Sequence, residues 1–221
     1  MGDRRYRLHA HEEGPLQLID SNIVLLGGFN PNIIEPAWLS RHDVVEEKSD
    51  EFTTEIQFGP GAPQMMRFNL DGLRWEVALD RVLVGSGKAR SPAKWLIRLL
   101  ELLPHTPIRA VGTNFKLRSE RSDWPIDIPA LPNQRAAGSL LGEAVTSTAV
   151  TRGRLGDGTQ VNLTLNATES ELVLDANFHR GVASGDAISV MDMAKQAMSE
   201  FDGDWERLKK IVSQMTGKEV G

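Results

Sequence analysis

Alternation of apolar and polar residues with a period of two dominates this chain, and it comes in two matched blocks. In the first, "EFTTEIQFGP" sets Phe52, Thr54, Ile56 and Phe58 against Thr53, Glu55 and Gln57. "QMMRFNLDG" then alternates through Met66, Phe68 and Leu70, and "LRWEVALDRVLVG" puts Leu73, Trp75, Val77 and Leu79 on one face. Asp71-Gly72, between these two, is a hairpin signal, because a two-residue turn needs residues that accept left-handed backbone. In the second block "VTSTAVTRGRL", "TQVNLTLNA" and "ELVLDANFHRG" alternate in the same way, joined by Gly156-Asp157-Gly158 and Thr168-Glu169-Ser170. Segments with one apolar face predict antiparallel strands, since strands of a parallel sheet are covered on both sides.

A strand and a helix precede each block, and a helix follows it. "NIVLLGGFN", Asn22 to Asn30, opens the first and "PIRAVGTNFKL" opens the second. "NPNIIEPAWLSRHD" spaces Ile33, Ile34, Ala37 and Trp38 helically, but Pro36 is tolerated only in a first turn, so this helix is short. Its counterpart is "ALPNQRAAGSLLGEA", after a Pro-rich connection at 124–132. "SPAKWLIRLLELLPHT" predicts the clearest helix: Ser91 caps it, Pro92 fits its first position and Pro104 stops it. Lys94, Arg98 and Glu101 leave it one narrow polar stripe, as on a helix lying flat on a sheet. The last helix, from Asp186, carries Met191, Ala194, Met198, Phe201, Trp205, Leu208, Val212 and Met215 at heptad-like steps, with a bend expected at Gly203.

The order strand, helix, three strands, helix therefore occurs twice and predicts an internal duplication in one compact unit. A polar lead-in occupies 1–20, one pseudo-repeat 21–105, and a second, with the long C-terminal helix, 106–221. This order resembles the duplicated saddle of the TATA-binding-protein-like fold, and "FNPNIIEPAWL" and "LPHTPIRAVGTNF" are similar to a sporadically distributed prokaryotic family of conserved hypothetical proteins. The resemblance implies an α+β fold in which two βαβββα halves share a curved antiparallel sheet, with helices mainly on one face. It implies a concave face that binds, and no particular activity.

Chemistry is restricted by what the chain lacks. Without Cys it has no disulfide, thiolate nucleophile or Cys-ligated metal. The histidines, His9, His11, His42, His105 and His179, are scattered, and neither a metal nor a cofactor is expected. No G-x-S-x-G elbow occurs. "VGSGKARSP" has a strand–glycine loop–helix outline, but Val82 and Ala89 stand where a phosphate-binding P-loop needs Gly and Ser or Thr. A bare anion site of Gly85, Gly87 and Lys88 is what this stretch could still provide, against a plain strand-to-helix turn. No apolar run is long enough to cross a bilayer and none follows the charged N-terminus, so a cytoplasmic protein without a membrane partner is expected. A net charge of −5 argues against a free-standing nucleic-acid binder, whose affinity comes from neutralising phosphates.

Asparagine is disfavoured in strands, yet Asn69, Asn114, Asn162, Asn166 and Asn177 all fall in predicted strands, on the face opposite the apolar one. Thr164, Asp175 and His179 join them, with Arg67, Arg74, Lys116, Arg118, Arg152 and Arg154 alongside. If helices cover the apolar face, this one is open. A non-enzymatic binding protein is expected, recognising its partner through Arg67, Asn69, Asn114, Asn162, Thr164, Asn166, Asn177 and His179. The alternatives are a small-ligand sensor and a nucleic-acid binder using the arginines. The stripe of the last helix would serve docking to another protein or a second copy.

Overall fold

The computed structural model describes residues 16–46, 54–57, 65–120, 147–168, 170–182, 185–216 and 220. The predicted helix of the second block, the Pro-rich connection before it, His9, His11, Phe52 and Phe58 lie outside these residues. In chain order the elements are β1 (Gln17–Gly27), α1 (Pro36–Arg41), β2 (Thr54–Gln57), β3 (Met65–Leu70), β4 (Leu73–Ala78), β5 (Arg81–Ser86), α2 (Ala93–Leu102) and β6 (Ile108–Glu120). Then come β7 (Ser147–Arg154), β8 (Gln160–Ala167), β9 (Glu171–Gly181), α3 (Ala187–Ser199) and α4 (Phe201–Thr216). The protein is α+β: the strands form one nine-stranded sheet in the order β2-β3-β4-β5-β1-β6-β9-β8-β7. Every pairing is antiparallel. Among the described residues no helix is long and apolar enough to cross a membrane.

The strand that begins each block is central. β1 and β6 pair with each other, and each block starts at an outer edge of the sheet, β2 or β7, and runs inward until its last strand, β5 or β9, pairs with β1 or β6. β1 starts at Gln17, inside the stretch expected to be a lead-in. "LRWEVALDRVLVG" is two strands instead of one, folded at Leu79-Asp80. That turn carries neither Gly nor Pro, and its carbonyls are satisfied from the end of β1 and the segment after it: Gly27 N–H donates to Asp80 O (3.0 Å) and Phe29 N–H to Leu79 O (2.9 Å). Asp71 and Gly72, both at positive φ (54° and 68°), make the tight β3–β4 turn that their sequence predicts.

One face of the sheet is apolar from β3 to β8, Thr113 excepted. Phe68, Trp75, Val84, Ile23, Thr113, Phe178 and Val161 stand side by side in register across β3, β4, β5, β1, β6, β9 and β8, and all are buried. Trp95, Leu96, Leu99 and Leu100 of α2 pack on this face, as do Ala194, Ala197 and Met198 of α3 and Phe201, Leu208 and Val212 of α4. Phe115 of β6 anchors the C-terminal helices, with Phe201 at 5.0 Å and Trp205 at 5.3 Å between ring centroids. The apolar stripe of the last helix is thus used within the chain, which takes away most of the surface expected for docking a second subunit; Met215 stays exposed. The bend expected at Gly203 lies instead at Glu200, between α3 and α4, and Gly203 is inside α4.

A buried ion pair fixes α4 to the sheet. Asp204 is fully buried and accepts from Thr113 Oγ1 (2.5 Å) on β6, from both terminal nitrogens of Arg180 (2.6 Å each) on β9, and from Arg207 (2.9 Å). Burial alone would push the Arg180 guanidinium down, but its bonds to Asp204 outweigh that and hold it above its ordinary value.

Candidate functional site

On the opposite face of the sheet, one residue along from the apolar row, lies a row of a different kind. Asn69, Arg74, Gly85, Asn22, Asn114, Asn177, Asn162 and Arg152 are in register across β3, β4, β5, β1, β6, β9, β8 and β7. Its four central amides are bonded in series: Asn162 Nδ2 donates to Asn177 Oδ1 (3.3 Å), Asn177 Nδ2 to Asn114 Oδ1 (2.6 Å), and Asn114 Nδ2 to Asn22 Oδ1 (2.7 Å). Asn22 Nδ2 donates to Asp20 Oδ2 (3.2 Å), and Arg74 closes the series by donating to both oxygens of Asp20 (3.2 and 3.0 Å). Arg74 reaches Asp20 across β5 where β5 has a glycine. A Cβ on Gly85 would collide with the Ser21 carbonyl and with Asn22, so only glycine lets β1 and β5 approach here.

A recess of about 300 Å³ lies over this row, lined by Asn22, Asn114, Asn177 and Asn162 and by the next row, Asp20, Lys116, Asp175 and Thr164. Of the residues expected to form the site, Asn114, Asn162, Thr164 and Asn177 are in the recess. The others share the face but stand apart. Arg67 is paired with Glu76, Asn69 lies at the far end of the row, Asn166 accepts from Thr148 Oγ1 (2.9 Å), and His179 neighbours Gln160 and Gly112. Asn22 and Asp20 complete the recess and were missed. Asn22 opens an apolar run, and the sequence signal that could have found it is its alternation with Ile23 and Leu25.

Cations on this face are nearly all matched. Arg67 and Arg81 share Glu76 (3.0 and 2.9 Å), Arg74 takes Asp20 (3.0 Å), Lys116 lies 3.6 Å from Asp175, and Arg118 lies 3.9 Å from Glu171. Burial pushes Glu76 up, but hydrogen bonds from Arg81 and Arg67 outweigh it, and its carboxyl sits below the ordinary glutamate range. Arg152 and Arg154, on the exposed edge strand β7, have no carboxylate partner among the described residues.

The glycine loop is tied to itself. Lys88 N–H is held by Ser86 Oγ (3.2 Å), and the Lys88 carbonyl accepts from Ser21 Oγ, Ser86 Oγ and Arg90 N–H. Gly85 serves close strand packing, and the backbone N–H of Lys88 is held by Ser86. A second recess of about 340 Å³, mostly apolar, lies where "FNPNIIEPAWL" meets "LPHTPIRAVGTNF", between Phe29, Ile33, Leu102 and Pro107, with Asn30 and His105 at its rim. Among the described residues no three metal-ligating side chains converge. No protein-family model matches this chain, and no curated protein is significantly similar to it.

Proposed function

We propose that this chain is a binding protein whose polar sheet face is its recognition surface, with the recess over Asn22, Asn114, Asn177 and Asn162 as the specific part. The observation that carries this reading is the amide row itself. Helices cover the opposite face, whereas no described element packs over the amides, and solvated sheet faces do not require asparagines in register on adjacent strands. Amides donate and accept at once, so the row suits a polar partner that presents both kinds of group. The placing of β1 and β6 side by side at the centre, each with the strands of its own half beyond it, supports the further reading of the chain as a duplicated saddle, the first half having one strand more than the expected βαβββα order and the recess lying across the junction.

A small-ligand role has one observation in its favour: about 300 Å³ is at the lower end of the volumes that hold small molecules. The nucleic-acid role loses support, because the arginines and lysines on this face are largely neutralised by carboxylates and leave little uncompensated charge for phosphate. The test is affinity capture on the immobilised chain and on an Asn162→Ala/Asn177→Ala variant, with mass spectrometry of what is held. A thermal-shift screen of small polar molecules on both proteins runs beside it. A protein or a small molecule that binds the wild type and is lost by the variant supports the reading. Ligands retained equally by the variant place recognition elsewhere, the apolar recess at Phe29 and Pro107 being the next region to test.

A further inference from the structure

The amide row has a direction, and one residue sets it. A carboxylate can only accept, so Asn22 must turn Nδ2 toward Asp20 and its Oδ1 toward β6. Asn114 then has to donate to that oxygen, Asn177 has to donate to Asn114, and Asn162 to Asn177. Each amide's orientation, which shape alone leaves ambiguous, follows from the one before it. Arg74, fixed on both oxygens of Asp20, keeps that end of the series anionic and in place. Amides bonded in one direction polarise one another, and each becomes a better acceptor at its oxygen.

The series ends at Asn162 Oδ1, which has no partner among the described residues. Beside it in the recess, Thr164 Oγ1 has none either, and Asp175 has only the 3.6 Å contact with Lys116. The next place in the row, on β7, is Arg152, a donor without an acceptor among the described residues. The open end therefore combines a polarised amide oxygen with a guanidinium unmatched among the described residues, Arg152 on the neighbouring strand, beside surroundings in which Lys116 and Arg74 are matched by Asp175 and Asp20. A cationic ligand at Asn162 would face the unmatched Arg152, and a carboxylate ligand has no hydrogen to give Asn162. A primary carboxamide satisfies both sides: its N–H extends the series by one more amide, and its C=O accepts from Arg152, the next residue of the row.

We propose that Asp20 is a positioning residue that orients the row, and that the recess recognises a primary carboxamide at Asn162. This rests on the polar face being the binding surface. The direction of the row is measured without any ligand, through couplings across the side-chain hydrogen bonds in asparagine-labelled protein. Expected are couplings from Asn162 to Asn177, Asn177 to Asn114, and Asn114 to Asn22, all of which weaken or mix in Asp20→Asn. Couplings in the reverse sense, or unchanged in Asp20→Asn, overturn the positioning role. Binding is then followed at the Asn162 side-chain amide with propanamide, propanoate and N,N-dimethylpropanamide. Propanamide is expected to saturate and the other two not to. Arg152→Ala should lose roughly threefold to tenfold in propanamide affinity, as for one hydrogen bond, with the couplings intact. Propanoate or the dimethyl amide binding as well as propanamide overturns the carboxamide assignment. If no probe shifts any residue of the recess, the carboxamide assignment is wrong, whereas the binding surface itself stands or falls on the capture experiment. A peptide with one central glutamine that binds more tightly than propanamide identifies a protein side chain as the source, and equal affinity identifies a free small amide.

Discussion

Removing the Asp204 carboxylate should be among the most damaging single substitutions in the molecule. Asp204→Ala leaves the Arg180 guanidinium, whose side chain is only 14% exposed, without its bidentate partner, and leaves the Thr113 hydroxyl without its acceptor. Breaking a buried pair by removing one member costs about 3–5 kcal/mol, because the surviving charge remains desolvated. For a chain of this length that corresponds to a fall of roughly 6–20 °C in melting temperature. Urea unfolding at neutral pH, followed by far-ultraviolet circular dichroism, measures it directly. The control is Arg180→Met combined with Asp204→Leu, which removes both charges and should recover more than half of the loss, since replacing a whole buried pair by apolar groups is often neutral or stabilising. A loss below about 1 kcal/mol in the single variant, or no recovery in the double, would refute the argument. It would mean that Arg180 is solvated and that α4 does not depend on this anchor.

Other outcomes follow from single contacts. Glu76→Gln should flatten the acid limb of the stability curve: a carboxylate held below its unfolded value stabilises the fold above the ordinary glutamate range, and that contribution is lost as pH falls through the folded value. Midpoints of urea unfolding between pH 3 and pH 7, roughly the range in which a glutamate titrates, check it. Gly203→Ala should stabilise by about 0.5–1 kcal/mol, because Gly203 lies inside α4 and the contact a Cβ would meet, Glu200 Oε2 at 3.3 Å, is the end of a flexible side chain. Gly85→Ala should do the opposite and forces β1 and β5 apart beneath the row; a thermal melt that shows no loss would contradict the close packing there.

Period-two alternation was enough to read the apolar face of the inner strands and the edges of β7, β8 and β9, but Ile56 and Leu79, expected on that face, are exposed, because β2 is an edge strand and Leu79 lies in the β4–β5 turn. What alternation does not carry is which strands become neighbours. The pairing of β1 with β6, which brings Asn22 beside Asn114, joins residues far apart in the chain, and nothing local announces it. Leu79-Asp80 was hidden because a turn fed by hydrogen bonds from another strand needs no Gly or Pro of its own. The heptad-like spacing of the last helix was legible but ambiguous, since the same stripe packs on a sheet or on another helix. Here Phe115 and the buried Asp204 decide for the sheet. The asparagines of the candidate site stood out by composition, whereas the order of bonding among them depends on Asp20, which lay in a stretch expected to be a lead-in.

The central claim is that the amide row is an open surface and not part of the protein's support, and the stability of Asn162→Ala/Asn177→Ala tests it most directly. The substitutions remove two side-chain hydrogen bonds, Asn162 to Asn177 and Asn177 to Asn114, at half-buried positions where water from the recess can take over the freed groups. Each such bond is worth about 0.5–1.5 kcal/mol before that replacement. Urea unfolding of the pair variant should therefore show a loss of about 1 kcal/mol, with an unchanged denaturant slope. A loss of about 4 kcal/mol or more would mean that these amides are buried, structurally required groups, and that the face is closed to any partner.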